Sequence, residues 1–576
     1  MTDGTRVAPA RRGPAWLGSG RTRRWLLAGY VSLLAVLAFP ILASPIAGDD
    51  LHWIMETTPR TKGTWEGWLR WTVTHPWAPS PETGRFAQSA YVVQRVADHV
   101  TWMISMTLQV SPVVVRVVLK MALLGALVVS LRSMLTRFRV ATPAGPHALS
   151  AAPRRVMLVV FPLVVLLGAK AASLSGRDSN GWIDYPLLTL TGAALCFGAV
   201  AVVTRTIDAW PSWGVVRRVL VQVIAVLSAA VLVTSYELFY LVVPVVLVAG
   251  AVHADGVRRF SRPWWTARGG VLGAFTVAFV AGVAATRWYA AQVCADSSCY
   301  SGITVEAGPE ALRTVAYNLL SSLPGGIRDE VAATAQHNGV IVPQGLTQTA
   351  LGVVLGVAVV ALAVVLALAL TPEVRHRASA AHSADAERGD RAVLLWMVVF
   401  GLGVGAAAAV LTSLNARAQA EIETVGVAFR SGPMVWMLFS LAVTAALLLV
   451  LAAVRRSRGL SRGVVLLAAV AVTGLVAISW PINLDARRSE LAYPLIDVVA
   501  QMHDAIITPV PGEAGDAARC ELLSRMYEMK DYRALVRLAQ GSHDSFTYFH
   551  GAPFCSAKVD EWKEPYVHEV PTDVSP

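Results

Sequence analysis

Apolar runs of about twenty residues recur along this chain, each long enough to cross the roughly 30 Å hydrocarbon core of a bilayer as an α-helix. Eleven can be placed: 25–47, 108–131, 156–173, 185–203, 217–235, 237–252, 269–288, 348–370, 391–412, 433–453 and 463–482. In hydrocarbon no water satisfies backbone N–H and C=O groups, so such runs fold as helices. An all-α polytopic membrane protein is therefore expected. Only 15% of residues are charged and 55% are hydrophobic, against roughly 25% charged in a soluble domain. The runs 217–235 and 237–252 flank Tyr236-Glu237 with almost no loop. They read as a tight hairpin, or as one broken helix that would invert every later loop.

The net charge of +11 is not a nucleic-acid signal, because no folded basic soluble module is present. Instead, arginines gather in alternate loops: 132–155, 205–218, 258–268, 375–391 and 455–462. The intervening loops hold few, with Arg177 in one and Arg417 and Arg430 in another. This is the positive-inside asymmetry, with the basic tail 1–24 in the cytoplasm and the C-terminus outside. The first run is too long for a signal-peptide core and lacks a convincing cleavage site. It reads as a retained span. The Ala, Val and Arg usage suggests a GC-rich bacterial genome, and hence a bacterial plasma membrane.

Cysteines fit this orientation. Cys196 lies within a span, whereas Cys294 and Cys299 share an outer loop and Cys520 and Cys555 share the tail. Paired thiols on the exported side are expected to form disulfides. The short spacing of Cys294 and Cys299 could strain a bond between them. The transmembrane unit 25–482 carries large outer loops at 48–107 and 289–347. The tail 483–576 has the helical patterning of a small exported α-helical domain that leans on the membrane part or on a disulfide. The stretch 309–323 is amphipathic and suits a cover over a cavity or a contact with the tail. The cytoplasmic loops contain no phosphate-binding GxxxxGK[ST] and no dinucleotide fingerprint, and the chain has no HExxH or GxSxG. Any chemistry is expected outside.

The first outer loop is the richest in candidates. Asp49 and Asp50 end the first span, just after Pro40 and Pro45 break its apolar run. An acidic pair can simply end a helix and stay wet. Here, however, the prolines free backbone groups that need partners or a watery cavity, and His52 and Trp53 follow at once. Trp65, Trp68 and Trp71 recur every third residue beside Arg70, as in a helix lying in the interface plane. Glu82 and Arg85 follow in PETGRFAQ.

This layout resembles the GT-C superfamily of integral-membrane glycosyltransferases, which use polyprenyl-phosphate sugars. The acidic pair followed by Gly84-Arg85 is similar to the O-antigen glucosyltransferase branch. The span number and exported tail look more like the cell-wall arabinofuranosyltransferases. The resemblance covers layout and one short motif. It implies that Asp49 or Asp50 is the catalytic base, that a polyprenyl-phosphate sugar is the donor, and that a cell-envelope glycan or glycolipid is the acceptor. The residue chemistry is compatible. A lipid phosphate is already a leaving group, so the reaction needs a base for the acceptor hydroxyl and cations for the departing phosphate. Adjacent carboxylates raise one another's pKa, and a single displacement with one base inverts the anomeric carbon.

The cation pool is Arg85, Lys170, Arg177 and Arg417. Lys170 ends an apolar span, where a charge marks function or snorkels to the interface. Asp178 shares the loop of Arg177, Glu237 sits at the turn of the expected hairpin, and Arg417 could pair with Glu421 or Glu423 instead. His52, Glu82, Asp178 and Glu237 complete the candidate substrate-binding set. No cofactor is required; a divalent cation held by the carboxylates and His52 stays unassigned. Two rivals are a secondary transporter or lipid flippase, which would place charge at midplane in repeated halves, and a non-catalytic scaffold whose tail binds a partner.

Overall fold

The computed structural model describes residues 20–46, 50–62, 64, 66–67, 70, 86–169, 186–294, 304–324, 346–370, 380–422, 432–454, 457–529 and 532–557. Nine described helices are long and apolar enough to cross a membrane. They comprise α1 (Gly20–Leu42), α4 (Pro112–Arg137), α6 (Pro186–Ala209), α7 (Val215–Val233), α9 and α10 joined through a π turn (Arg262–Arg268, Gly269–Gly273, Ala274–Val293), α12 (Leu346–Leu370), α13 (Ala380–Ser413), α15 (Gly432–Val454) and α16 (Arg458–Leu491). The other two expected runs are shorter helices: α5 (Ala151–Leu167), and a 3-10 turn Glu237–Leu241 leading into α8 (Val242–Val252). The fold is that of a multi-pass, helical membrane protein.

Contacts at the helix ends give the direction of α4, α6, α7 and α8. At one end, which carries the arginine-rich loops and is here termed the basic end, α4, α6 and α8 finish together. Arg139 pairs with Asp208, His253 Nε2 lies 3.0 Å from Asp208, and the Ala254 N–H donates to the Arg139 carbonyl at 3.0 Å. At the far end, the Ser89 N–H donates to the carbonyl of Thr234 at 2.8 Å, just beyond α7. Thus α7 runs to the far end and α8 returns, so 215–252 is a hairpin turned at Thr234–Leu241 rather than one broken helix.

One short β-hairpin interrupts the helical architecture. Arg139–Thr142 (β1) and Gly145–Ala148 (β2) pair as an antiparallel hairpin at the basic end. Gly145 supplies the positive φ of 114° that so tight a turn demands. Asp390 of α13 accepts from the Ser150 N–H at 2.8 Å and hydroxyl at 2.6 Å, and lies 3.1 Å from His147, clasping the hairpin to the bundle.

Close packing of the spans depends on small residues. A Cβ on Gly352 or Gly356 of α12 would come within 3.0 Å of backbone atoms of Ala477 or Thr473 in α16. The last span continues past Pro481 to Leu491, so the tail's own helices begin at Pro494. These are α17 (Pro494–Ile507), α18 (Gly512–Glu528) and α19 (Tyr532–His550). Together with α2 (Asp50–Thr61) and α3 (Gln88–Leu108) they form one core around Met55, Trp102, Met502, Met526 and Phe554. Cys520 and Cys555 form a disulfide within this unit. Cys294 is also disulfide-bonded, Cys196 is a buried free thiol, and Cys299 lies outside the described residues.

Candidate functional site

The first helix shows how the far end is built. Pro40 has no N–H to give the carbonyl of Val36, four residues back. Trp480 of α16 donates its indole N–H to that oxygen at 3.2 Å. Pro45 likewise withholds a donor from Ile41, whose carbonyl keeps only a long 3.4 Å bond from Ser44 N–H. Lys120 of α4 donates to the same oxygen at 3.3 Å. Arg487 of α16 donates to Ala43 at 2.8 Å and lies over the Phe39 ring. The proline-broken exit of α1 is therefore held by cations and an indole from two other helices.

Lys120 belongs to a buried cationic row. Four residues earlier on α4, and so on the same face, stands Arg116. Both are only 4% exposed. Arg116 pairs with Asp98 of α3, which also accepts from Arg95 at 3.0 Å. Asp98 is fully buried, and its two oxygens go to two guanidiniums, which makes it a structural anion and a poor general base. Across α1, Asp485 is 3.4 Å from Arg488. Arg95, Arg116, Lys120, Arg487 and Arg488 thus gather with Asp98 and Asp485 around the exit of α1. The end of α5 closes the region. Its Val164 and Val165 carbonyls take the Trp436 N–H at 2.9 and 3.1 Å, and Ala169 takes the Asn483 amide at 2.8 Å.

Helix α3 is inside-out by the standards of a soluble protein. Its polar residues Arg95, Asp98, Thr101 and Ser105 are buried, whereas Val93, Val100, Ile104 and Leu108 are exposed. A helix lying against acyl chains wants this arrangement. It is a strut. At one end Ser89 bonds Thr234 (2.6 Å), and at the other Trp102 donates to Ser545 of α19 at 3.0 Å. Helix α2 packs against it with buried Thr57, Thr58 and Thr61 and with Glu56, which pairs with Arg60 at 3.2 Å. Thr58 Oγ1 lies 3.0 Å from His99 Nδ1, and burial holds the His99 pKa below its usual range.

The sequence candidates distribute as follows. Asp50 is the first residue of α2 and His52 lies in its first turn, nine and eleven residues beyond Ile41, whose carbonyl Lys120 holds. Lys170 follows directly on Ala169; Lys170 itself, with Asp49, Glu82, Arg85, Arg177, Asp178, Trp65, Trp68 and Trp71, lies outside the described residues. Glu237 is half-buried at the α7–α8 turn. The rise of 1.5 Å per residue puts its neighbour Thr234 roughly 14 Å along α3 from Asp98. Arg417 belongs to a different place. Its helix α14 (Ala416–Glu421) is capped by Asn415 and tied to residues 304–306, with Gln419 donating to the Glu306 carbonyl at 2.8 Å. The amphipathic stretch 309–323 is α11 (Pro309–Ser322). Its buried Asn318 bonds Thr412 of α13 at 3.0 Å, so this face packs on the end of α13.

Arg95, Asp98, Arg116, Lys120, Arg487 and Glu56 were not singled out by sequence. Arg116 and Lys120 had a usable signal, two cations four apart within an apolar run. The chain matches no protein-family model, no curated protein and no solved structure.

Proposed function

We propose that this protein transfers a sugar from a polyprenyl-phosphate donor to a cell-envelope glycan or glycolipid on the outer side of a bacterial plasma membrane, with inversion. The reading rests on the layout of spans and acidic pair, and one structural observation supports it above the others. A buried, cation-rich row stands where α1 leaves the apolar region and α2 begins. Arg116 and Lys120 would meet the carrier phosphate, offsetting the charge that develops as the sugar departs. Lys170, Arg177 and Arg85 remain in the pool of groups that complete the clamp. Asp49 or Asp50 would take the proton of the acceptor hydroxyl. The apolar outer face of α3 offers the isoprenoid tail a surface beside that row. A divalent cation stays unassigned, and the reaction as written uses none.

The test is transfer in proteoliposomes from arabinofuranosyl- and glucosyl-polyprenyl phosphates, with product anomer determined by NMR. Asp49→Asn or Asp50→Asn should lower the rate by about 10²–10⁴, the usual contribution of a general base. Arg116→Gln or Lys120→Gln should lower it by about 10²–10³. Expression and melting temperature serve as controls. If both aspartate variants keep wild-type transfer, the assignment of the base fails; if no donor is consumed while labelled carrier crosses the bilayer, the whole reading fails in favour of a flippase.

A further inference from the structure

A second feature lies at the basic end, far from the cationic row. Between α8 and α9 the chain turns through Gly256 and then places Phe260 at φ 59°. That conformation is costly for a residue with a Cβ. It turns Phe260 outward, 71% exposed, beside Trp265 at 57%. The aromatic corner is braced from behind. Trp264 is buried and packs edge-on to Trp265 at 4.8 Å. Arg268 stacks on Trp264 at 4.3 Å and is fixed by the carbonyls of Gly250 (2.7 Å) and His253 (2.6 Å) and by Asp255 (3.0 Å). Asp255 is thereby committed. Arg258, Arg259 and Arg262 remain exposed around the corner, with Arg259 making a long 3.5 Å bond to the Val252 carbonyl.

Depth supports a lipid partner. The helical segment Arg262–Val293 has 32 residues. At 1.5 Å each it is about 48 Å long, longer than the hydrocarbon core and comparable to a whole bilayer with headgroups. Its Arg262 end therefore reaches headgroup level when the apolar part spans. Exposed aromatic rings at that depth sit at the acyl boundary, and three arginines beside them meet phosphodiesters.

We propose that the Phe260–Trp265 corner binds the headgroup of an anionic phospholipid in the leaflet at the basic end, with Arg258, Arg259 and Arg262 on the phosphodiester and Phe260 and Trp265 against the glycerol and upper acyl chain. The site is independent of the transfer reading. It is tested by native mass spectrometry of protein released from vesicles of phosphatidylcholine with a minority of phosphatidylglycerol. The wild type should retain phosphatidylglycerol in preference to phosphatidylcholine, and excess inorganic phosphate should not displace it. Each arginine near an anionic surface strengthens binding about fivefold. The R258Q/R259Q/R262Q variant should therefore retain at least about tenfold less, and F260A/W265A should also retain less. The variant R217Q/R218Q, altered at the same end on α7, should match the wild type. Equal retention of the two lipids by the wild type overturns the proposal whatever the variants do. So does displacement by phosphate, wild-type retention in the triple variant, or an equal loss in R217Q/R218Q.

Discussion

Replacing Trp480 with Phe isolates one hydrogen bond at the broken end of α1. Pro40 leaves the Val36 carbonyl without its helical donor, and the Trp480 indole supplies one at 3.2 Å. Val36 is 47% exposed, and on a membrane-spanning helix that exposure is to hydrocarbon, where no water replaces the lost partner. Interhelical hydrogen bonds in membranes contribute about 0.6 kcal/mol on average and up to about 1.7. Trp480→Phe should cost that amount plus the packing lost around a half-buried ring. In a Pro40→Ala background, residue 40 regains its N–H and can bond Val36 within the helix. The same Trp480→Phe change should then cost packing alone. The double-mutant coupling is thus predicted at about 0.6–1.7 kcal/mol, or roughly 3- to 18-fold in the unfolding equilibrium. Unfolding in mixed detergent micelles can be followed by labelling of Cys196, a buried free thiol that reacts when its helix opens. A coupling indistinguishable from zero, or of opposite sign, would refute the argument that Trp480 serves the oxygen freed by Pro40.

Three further outcomes are expected. Asp98→Asn leaves Arg95 and Arg116 buried with one carboxylate fewer; breaking a buried pair in this way costs about 3–5 kcal/mol, so thermal melting should drop far more than for the exposed Arg388→Gln, and a change within error would show that this carboxylate does not fasten α3 to α4. His99 has a pKa depressed by burial, so its neutral form is favoured by folding; that stability is complete above about pH 6.5, the unfolded value, and is lost as pH falls through the lower folded value. Melting between pH 7.5 and 5 should therefore fall less in His99→Leu than in the wild type, and identical slopes would remove His99 as a contributor. Gly401 of α13 would place a Cβ 2.7 Å from the Leu438 carbonyl and 2.8 Å from the Ala442 nitrogen, whereas Gly403 has open space; Gly401→Val should destabilise by about 1–3 kcal/mol or more, Gly403→Ala should be neutral or slightly stabilising, and equal melting temperatures would contradict the α13–α15 packing.

The passes were readable because a twenty-residue apolar run carries its own reason to be helical. What the runs did not carry was the identity of their neighbours. The turn at Tyr236-Glu237 admitted a hairpin or a kink on pattern alone; only Ser89 on Thr234 at one end and Arg139 beside His253 at the other decide it. Helix α3 was hidden for a different reason. Periodicity reports that a helix has two faces but not which solvent each one meets, so buried Arg95 and Asp98 beneath exposed Val93 and Val100 invert the usual inference. Arg116 and Lys120 could have been flagged from their spacing, but their partners lie 18 and 79 residues away. The tail makes the same point most sharply. Its helices were legible as amphipathic, yet their apolar faces close on Ile54, Met55 and Trp102 from the first outer loop, with Trp102 and Ser545 joined across 443 residues. Because the strut that carries Asp98 is also bonded to the tail, the tail packs on the helix that holds the carboxylate of the cationic region. Substitutions at Ser545 should therefore disturb Arg116 through α3, although nothing local in either sequence stretch links them.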